Sequence, residues 1–394
     1  MQYNVVSGDS HLDLTWLPGN LFKDNAPSHL KEKVPHVVET EKGARWVAEG
    51  KELGVYGGLG FGFSAPRKNM RYRVDRMYDA GYYEGGPHPI NQDLRLKDMA
   101  TDGVDAEILY GMTTAGMRIK DQETLTATFR IYNEWVNDFC RSRPGRWYAL
   151  ACIPIHDPQA AADELRRASK LGWLRGADLY VTGTIQPIYL RDGFWDPLWK
   201  AAAECHMPIS FHIGAGGIQV PLPPGAADRT KVFTGDNPSQ NDLAFRGSAL
   251  PLGQLSGSEW LTSIIMSGAC DRYPDFRFVL GECGAGWIPF IIHRMDLKFR
   301  DQYLDRDFSP ALELKPSEYW YRQGATTFQE DPCVDTMSKE IGEDNLMWGS
   351  DYPHPDGVWP DSKEIIKETM GRLKPKVLKK VICENAVRHY RMGE

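Results

Sequence analysis

The sequence predicts an α/β fold: a (β/α)8 TIM barrel with a long insertion after strand one and a second insertion after strand five. Three observations predict it. Eight short runs rich in β-branched or aromatic residues are bounded by Gly, Pro or Asp, segments of helical periodicity lie between them, and no repeat of fixed period points to a solenoid or propeller. Eight strand–helix units favour a closed barrel over a doubly wound sheet.

The runs, in order, are Val5–Gly8, Ala106–Tyr110, Trp147–Pro154, Gly176–Val181, Pro208–His212, Arg277–Gly281, Ala325–Phe328 and Leu346–Ser350. Among the helices, Leu125, Phe129, Tyr132, Val136 and Phe139 step by four, three, four and three, which places them on one face. Asp157-Pro158 reads as an N-cap followed by Pro at the first helical position, opening a helix that Gly172 ends. Asp196-Pro197 marks another start, with Trp199 and Ala202 facing inward.

At 394 residues the length alone allows two or three domains. The strand placement makes 1–394 a single barrel domain, with the excess in 18–97 and 214–256. Because loops at the carboxyl ends of barrel strands build active sites, both insertions are candidate lids, or else oligomer contacts. The stretch Gly54–Phe63 is rich in Gly and aromatics but lacks a following Lys-Ser/Thr and a strand–helix context, so it is not read as a nucleotide loop.

Forty-six Lys and Arg against 53 Asp and Glu leave a net charge of −7 with no basic run, which argues against nucleic acid. No apolar run reaches the roughly 18 residues that cross a bilayer, and the N-terminus lacks a leader pattern, so a cytoplasmic location is expected. Seven scattered cysteines with no C-x-x-C pair read as free thiols.

The chemistry lies where metal-competent side chains meet strand ends. Asp9-Ser10-His11 follows strand one, His212 closes strand five, Glu282 follows strand six and Asp351 follows strand eight. In a barrel these ends converge on one face, and mixed N and O donors suit Zn²⁺, Mn²⁺ or Fe²⁺. Asp9 and His11, two apart, point to one side; Asp13 continues that parity and is a further candidate. His29, His36, His88, His156, His206 and His389 are read as ordinary core or surface residues.

These residues resemble the metal-dependent amidohydrolase superfamily, in the branch that contains 2-amino-3-carboxymuconate-6-semialdehyde decarboxylase and the non-oxidative aromatic-acid decarboxylases. The resemblance is carried by Asp9-Ser10-His11, Arg95-Leu96-Lys97-Asp98-Met99, Asn133-Glu134-Trp135, Pro208 to His212, Phe278 to Glu282, Gly349 to His354 and Glu384-Asn385-Ala386. It implies one divalent ion held by Asp9, His11, His212 and Asp351, with Asp351 also handling protons, and it implies a homodimer. Relatives with decarboxylase chemistry carry His after strand six, where this chain has Glu282, so water activation and hydrolysis of a small cyclic or aromatic carboxylate is the leading expectation. Decarboxylation at the same metal site is the alternative, and a non-catalytic metal-binding barrel a third. His354 offers a further imidazole. Trp287 and Trp359 are expected as apolar walls, and Arg294 as a contact for a substrate carboxylate or, equally, a surface partner of Asp296 or Asp301.

Overall fold

The computed structural model describes residues 2–41, 43–57, 88–180, 186–213, 221–225, 239–301, 312–354 and 357–393. Its strands are β1 (Val6–His11), β2 (His36–Thr40), β3 (Gly43–Ala48), β4 (Lys51–Val55), β5 (Ala106–Tyr110), β6 (Trp147–Cys152), β7 (Leu174–Leu179), β8 (Ile209–His212), β9 (Phe278–Gly281), β10 (Gly324–Phe328) and β11 (Leu346–Trp348). Eight of them pair in parallel in the order β1-β5-β6-β7-β8-β9-β10-β11. They are the eight strands that the sequence predicts, and with the helices between them they form a TIM barrel.

The barrel is nearly closed, and its seam lies at the candidate site. Beyond β11 the chain returns alongside β1: the Asp351 N–H donates to the Asp9 carbonyl at 2.9 Å, and the His11 N–H donates to the Tyr352 carbonyl at 2.7 Å. Beneath these bonds the hydroxyls of Ser7, Ser10 and Ser350 lie 2.9 to 3.3 Å apart, so small polar side chains satisfy one another where β1 and β11 meet.

One sequence expectation is corrected at the level of elements. Strand one extends to His11, so Asp9 and His11 lie within β1 and do not follow it. Its pairing with β5 shifts register between Ser7 and Ser10, an irregularity that re-aims side chains near a barrel rim. The Asp196–Cys205 helix starts at Asp196-Pro197 as expected, with Trp199 and Ala202 buried and Trp195 as its cap; the Asp196 carboxylate binds Arg272, at 2.6 and 3.1 Å. The helix Pro158–Ser169 also begins as expected, with the Asp157 side chain accepting from the Gln159 N–H.

Packing follows the periodicity. On the helix Gln122–Arg141, the face made by Leu125, Phe129, Tyr132, Val136 and Phe139 is buried, and each such side chain contributes roughly 1.5–3 kcal/mol by leaving water. The first insertion carries an antiparallel sheet, β2-β3-β4. The Gln92–Asp102 helix, capped by the Asn91 side chain and ended by Gly103 in the left-handed region, leads into β5. Gly58–Phe63 and residues 214–220 and 226–238 of the two insertions lie outside the described residues.

Candidate metal centre

The carboxyl ends of β1, β8 and β9 and the turn after β11 bring His11, Asp9, His212, Glu282 and Asp351 together. One ligand atom each from Asp9, His11 and His212 lie within 4.8 Å of one another, as do those of His11, Asp351 and His354. The His11 Nε2 atom stands 3.0 Å from Asp351 Oδ1 and 3.3 Å from Asp9 Oδ1. The His212 Nε2 atom is 3.7 Å from Asp9 Oδ1 and 3.6 Å from Glu282 Oε2.

Local backbone explains the aim of the two carboxylates that lie beyond strand ends. Glu282 and Asp351 both adopt positive φ, 55° and 56°, a region uncommon for residues with a Cβ and concentrated at functional sites. Gly349 has to be glycine, because a Cβ there would sit 2.6 Å from the Asp9 Cβ. A Cβ on Gly281 would fall 2.9 Å from the Tyr110 hydroxyl and 3.0 Å from the His212 ring.

The ring nitrogens are oriented by what lies behind them. His212 Nδ1 faces the Ile213 carbonyl at 3.4 Å, which leaves Nε2 turned to the cluster. His11 Nδ1 faces Asp13 Oδ1 at 3.4 Å. His354 lies between two carboxylates, Nδ1 at 2.9 Å from Asp351 Oδ1 and Nε2 at 2.9 Å from Asp13 Oδ2. Its ring is tilted 31° from that of His11, with the ring centres 3.9 Å apart.

Charge follows from this crowding. Burial favours neutral His354, but the carboxylates of Asp351 and Asp13 prevail and hold its pKa well above the usual imidazole value. Burial likewise opposes ionised Asp9, and the His11 and His212 imidazoles outweigh it, keeping the carboxyl below the usual range.

A divalent cation fits these residues. Asp9 Oδ1, His11 Nε2, His212 Nε2 and Asp351 Oδ2 are buried and have no hydrogen-bond partner. Buried polar atoms left without partners are costly; those of Asp9, His11 and His212 cluster together, and with the Asp351 carboxylate beside His11 two imidazoles and two carboxylates form a donor set that zinc or manganese accepts.

Several contributors escaped the sequence reading. The Thr327 hydroxyl donates to Asp9 Oδ2 at 2.6 Å while accepting from the Glu282 N–H at 2.6 Å, joining the two halves of the cluster from β10. Asp178 on β7 is buried with Oδ1 lacking a partner, and burial pushes its pKa up. Arg95, fully buried, pairs with Glu107 at 2.7 Å and donates to the His11 carbonyl at 3.1 Å. Asp98 accepts from the Tyr352 hydroxyl at 2.5 Å. The Arg95-Leu96-Lys97-Asp98-Met99 segment thus secures β1 and the turn that carries Asp351. The motif alone did not disclose this, because the partners are distant in sequence.

The residues expected to contact substrate are placed differently. Trp287 is half-buried, its indole N–H donating to the Cys283 carbonyl at 2.7 Å. Trp359 is buried, donates to the Asp98 carbonyl at 3.1 Å and packs edge-on against Tyr352. It supports the turn after β11 and is not an open wall. Arg294 is exposed on the helix Ile288–Asp301, and Asp296, an expected partner, accepts from the Ser317 N–H and hydroxyl. The seven cysteines are all free, and no helix among the described residues is long and apolar enough to cross a membrane.

The amidohydrolase family profile matches residues 36–392, and the chain belongs to that family of enzymes. The match begins after β1, so Asp9, His11 and Asp13 join the site on geometry. The chain is 26% identical over 280 residues to gamma-resorcylate decarboxylase of Rhodococcus jostii (strain RHA1), covering 66% of this chain and 77% of that one. Its fold is similar to that of an amidohydrolase from Mycobacterium avium subsp. paratuberculosis K-10, at a TM-score of 0.71 and 18% identity over 99% of this chain and 100% of the other. It is also similar to 5-carboxyvanillate decarboxylase from Novosphingobium aromaticivorans DSM 12444, complexed with manganese and 4-hydroxy-3-methoxy-5-nitrobenzoic acid, at a TM-score of 0.62 and 18% identity over 82% and 85% of the two chains. The gamma-resorcylate and 5-carboxyvanillate relatives are named as decarboxylases, not hydrolases.

Proposed function

We propose that this enzyme is a divalent-metal-dependent, non-oxidative decarboxylase of a small aromatic or cyclic carboxylic acid. The observation that carries the reading is the cluster of unpartnered buried atoms on Asp9, His11 and His212, with the buried Asp351 carboxylate 3.0 Å from the shared His11. Those four residues would hold the ion, with manganese favoured by the solved relative that contains it. Bound there, a divalent cation supplies a Lewis acid for the oxygens of an anionic substrate.

Loss of CO₂ leaves an electron pair on the carbon that bore it, and that carbon must take a proton. His354 keeps hydrogens on both ring nitrogens, since each faces a carboxylate and a carboxylate only accepts. The proton is thereby held beside Asp351 Oδ1, from which Asp351 delivers it to carbon. Glu282, 3.6 Å from His212 Nε2, borders the same space and the substrate. Trp287 lines the approach.

Hydrolysis remains the second reading because position 282 is a carboxylate, able to act as base toward water. The test is CO₂ release from a panel of hydroxylated benzoic acids by metal-stripped and manganese-reloaded protein. Release that depends on manganese supports decarboxylation. A product formed without CO₂ and bearing oxygen from labelled water overturns it.

A further inference from the structure

We infer that Asp13 is a positioning residue that sets the affinity of the centre for its divalent ion, by fixing which nitrogen of His11 carries the hydrogen. The inference rests on the reading of His11 as a metal ligand and assigns a role to a residue outside the four ligands.

Asp13 lies two residues beyond the end of β1, at the cap of the short Leu14–Trp16 turn of helix, and its side chain makes no capping hydrogen bond. The carboxylate is turned to the cluster. Its Oδ1 faces His11 Nδ1 at 3.4 Å and its Oδ2 faces His354 Nε2 at 2.9 Å. Carboxylates face both ring nitrogens, Asp13 at Nδ1 and Asp9 and Asp351 at Nε2; a cation held by Nε2 leaves the hydrogen of the neutral ring on Nδ1, and there Asp13 accepts it. That acceptor favours the tautomer whose Nε2 lone pair is directed at the space shared with Asp9 Oδ1 and Asp351 Oδ1, against the pull of those two carboxylates on a hydrogen at Nε2. A carboxylate behind a ligating imidazole also raises its basicity. Without Asp13, the ring is free to take the opposite tautomer, with Nε2 protonated and unable to bind a cation. The tilted His354 ring, its centre 3.9 Å away, limits rotation of His11, so the choice of tautomer is the variable that remains.

The experiment compares wild type with D13A, D13N and D13E, each stripped of metal. Affinity for Mn²⁺ and Co²⁺ is measured by competition with a chromophoric chelator, and the visible absorption of the Co²⁺ form reports ligand geometry. Near-ultraviolet circular dichroism of the metal-free proteins checks that the fold is kept, and D13N carries the comparison if D13A does not fold. The inference predicts affinity weaker by roughly 10–100-fold in D13A, an altered Co²⁺ spectrum, a smaller loss in D13N and partial recovery in D13E. A D13A or D13N protein that is folded and binds both ions as tightly as wild type overturns the role of Asp13. A wild-type protein that takes up neither ion overturns the metal-centre reading itself, which separates the two failures.

Discussion

Replacing Thr327 by Val tests whether the candidate centre is built as one hydrogen-bonded unit. The change keeps the β-branched shape, so packing on β10 is little altered, but it deletes a hydroxyl that serves two buried partners at once. The Glu282 N–H would lose its acceptor at 2.6 Å, and Asp9 Oδ2 would lose a donor at 2.6 Å. Thr327 is fully buried, so water does not replace it without cost. An unsatisfied buried N–H costs about 1–3 kcal/mol and a hydrogen bond to a charged group contributes about 1.5–3 kcal/mol. T327V is therefore expected to lose about 2.5–6 kcal/mol of stability, a sizeable part of the roughly 5–15 kcal/mol typical of a folded domain. The assay is guanidinium denaturation of metal-free protein, followed by divalent-ion affinity at low denaturant. T327S, which keeps the hydroxyl, should recover most of both. A T327V protein with unchanged midpoint and unchanged affinity would refute the role assigned to this hydroxyl.

Two further outcomes are expected. H212A and D351N should each lose stoichiometric Mn²⁺ by elemental analysis while keeping the far-ultraviolet spectrum of wild type; full metal content in either removes that residue from the ligand set. Asp102, buried at the barrel periphery beside Ser362, has its pKa raised by burial from 3.8 to about 7. The folded state therefore binds its proton more tightly than the unfolded chain does, so its contribution to stability is full below about pH 4 and is lost as the pH rises through 7. D102N should flatten the fall in stability across that window, and an unchanged slope would show that Asp102 is not its source.

Much of the fold was legible because the barrel repeats a local pattern. Each parallel strand is buried on both faces and reads as an apolar run closed by Gly, Pro or Asp. The ligand candidates were legible for the same reason, since strand ends in a barrel converge whatever their separation in sequence. What escaped was long-range polar pairing. Nothing near Thr327 announces that its hydroxyl meets Asp9, and Asp13 could be placed on a parity but not between two imidazoles. Arg95 and Asp98 belonged to a quoted motif whose partners, Glu107 and Tyr352, lie at other points of the chain. Arg294 was expected near substrate, or equally on a surface helix, from its sequence context, and it is exposed on its helix. Strand one was cut short because Gly8 resembles a terminator, whereas the register shift lets the strand run on to His11.

The most direct test of the proposed reaction is the isotopic content of the product when the manganese-loaded enzyme works in water labelled with both deuterium and oxygen-18. Decarboxylation predicts CO₂ release and a product with one deuterium on the carbon that lost the carboxylate and no oxygen-18. A product that carries oxygen-18 and no new carbon–deuterium bond would contradict it and return the site to hydrolysis.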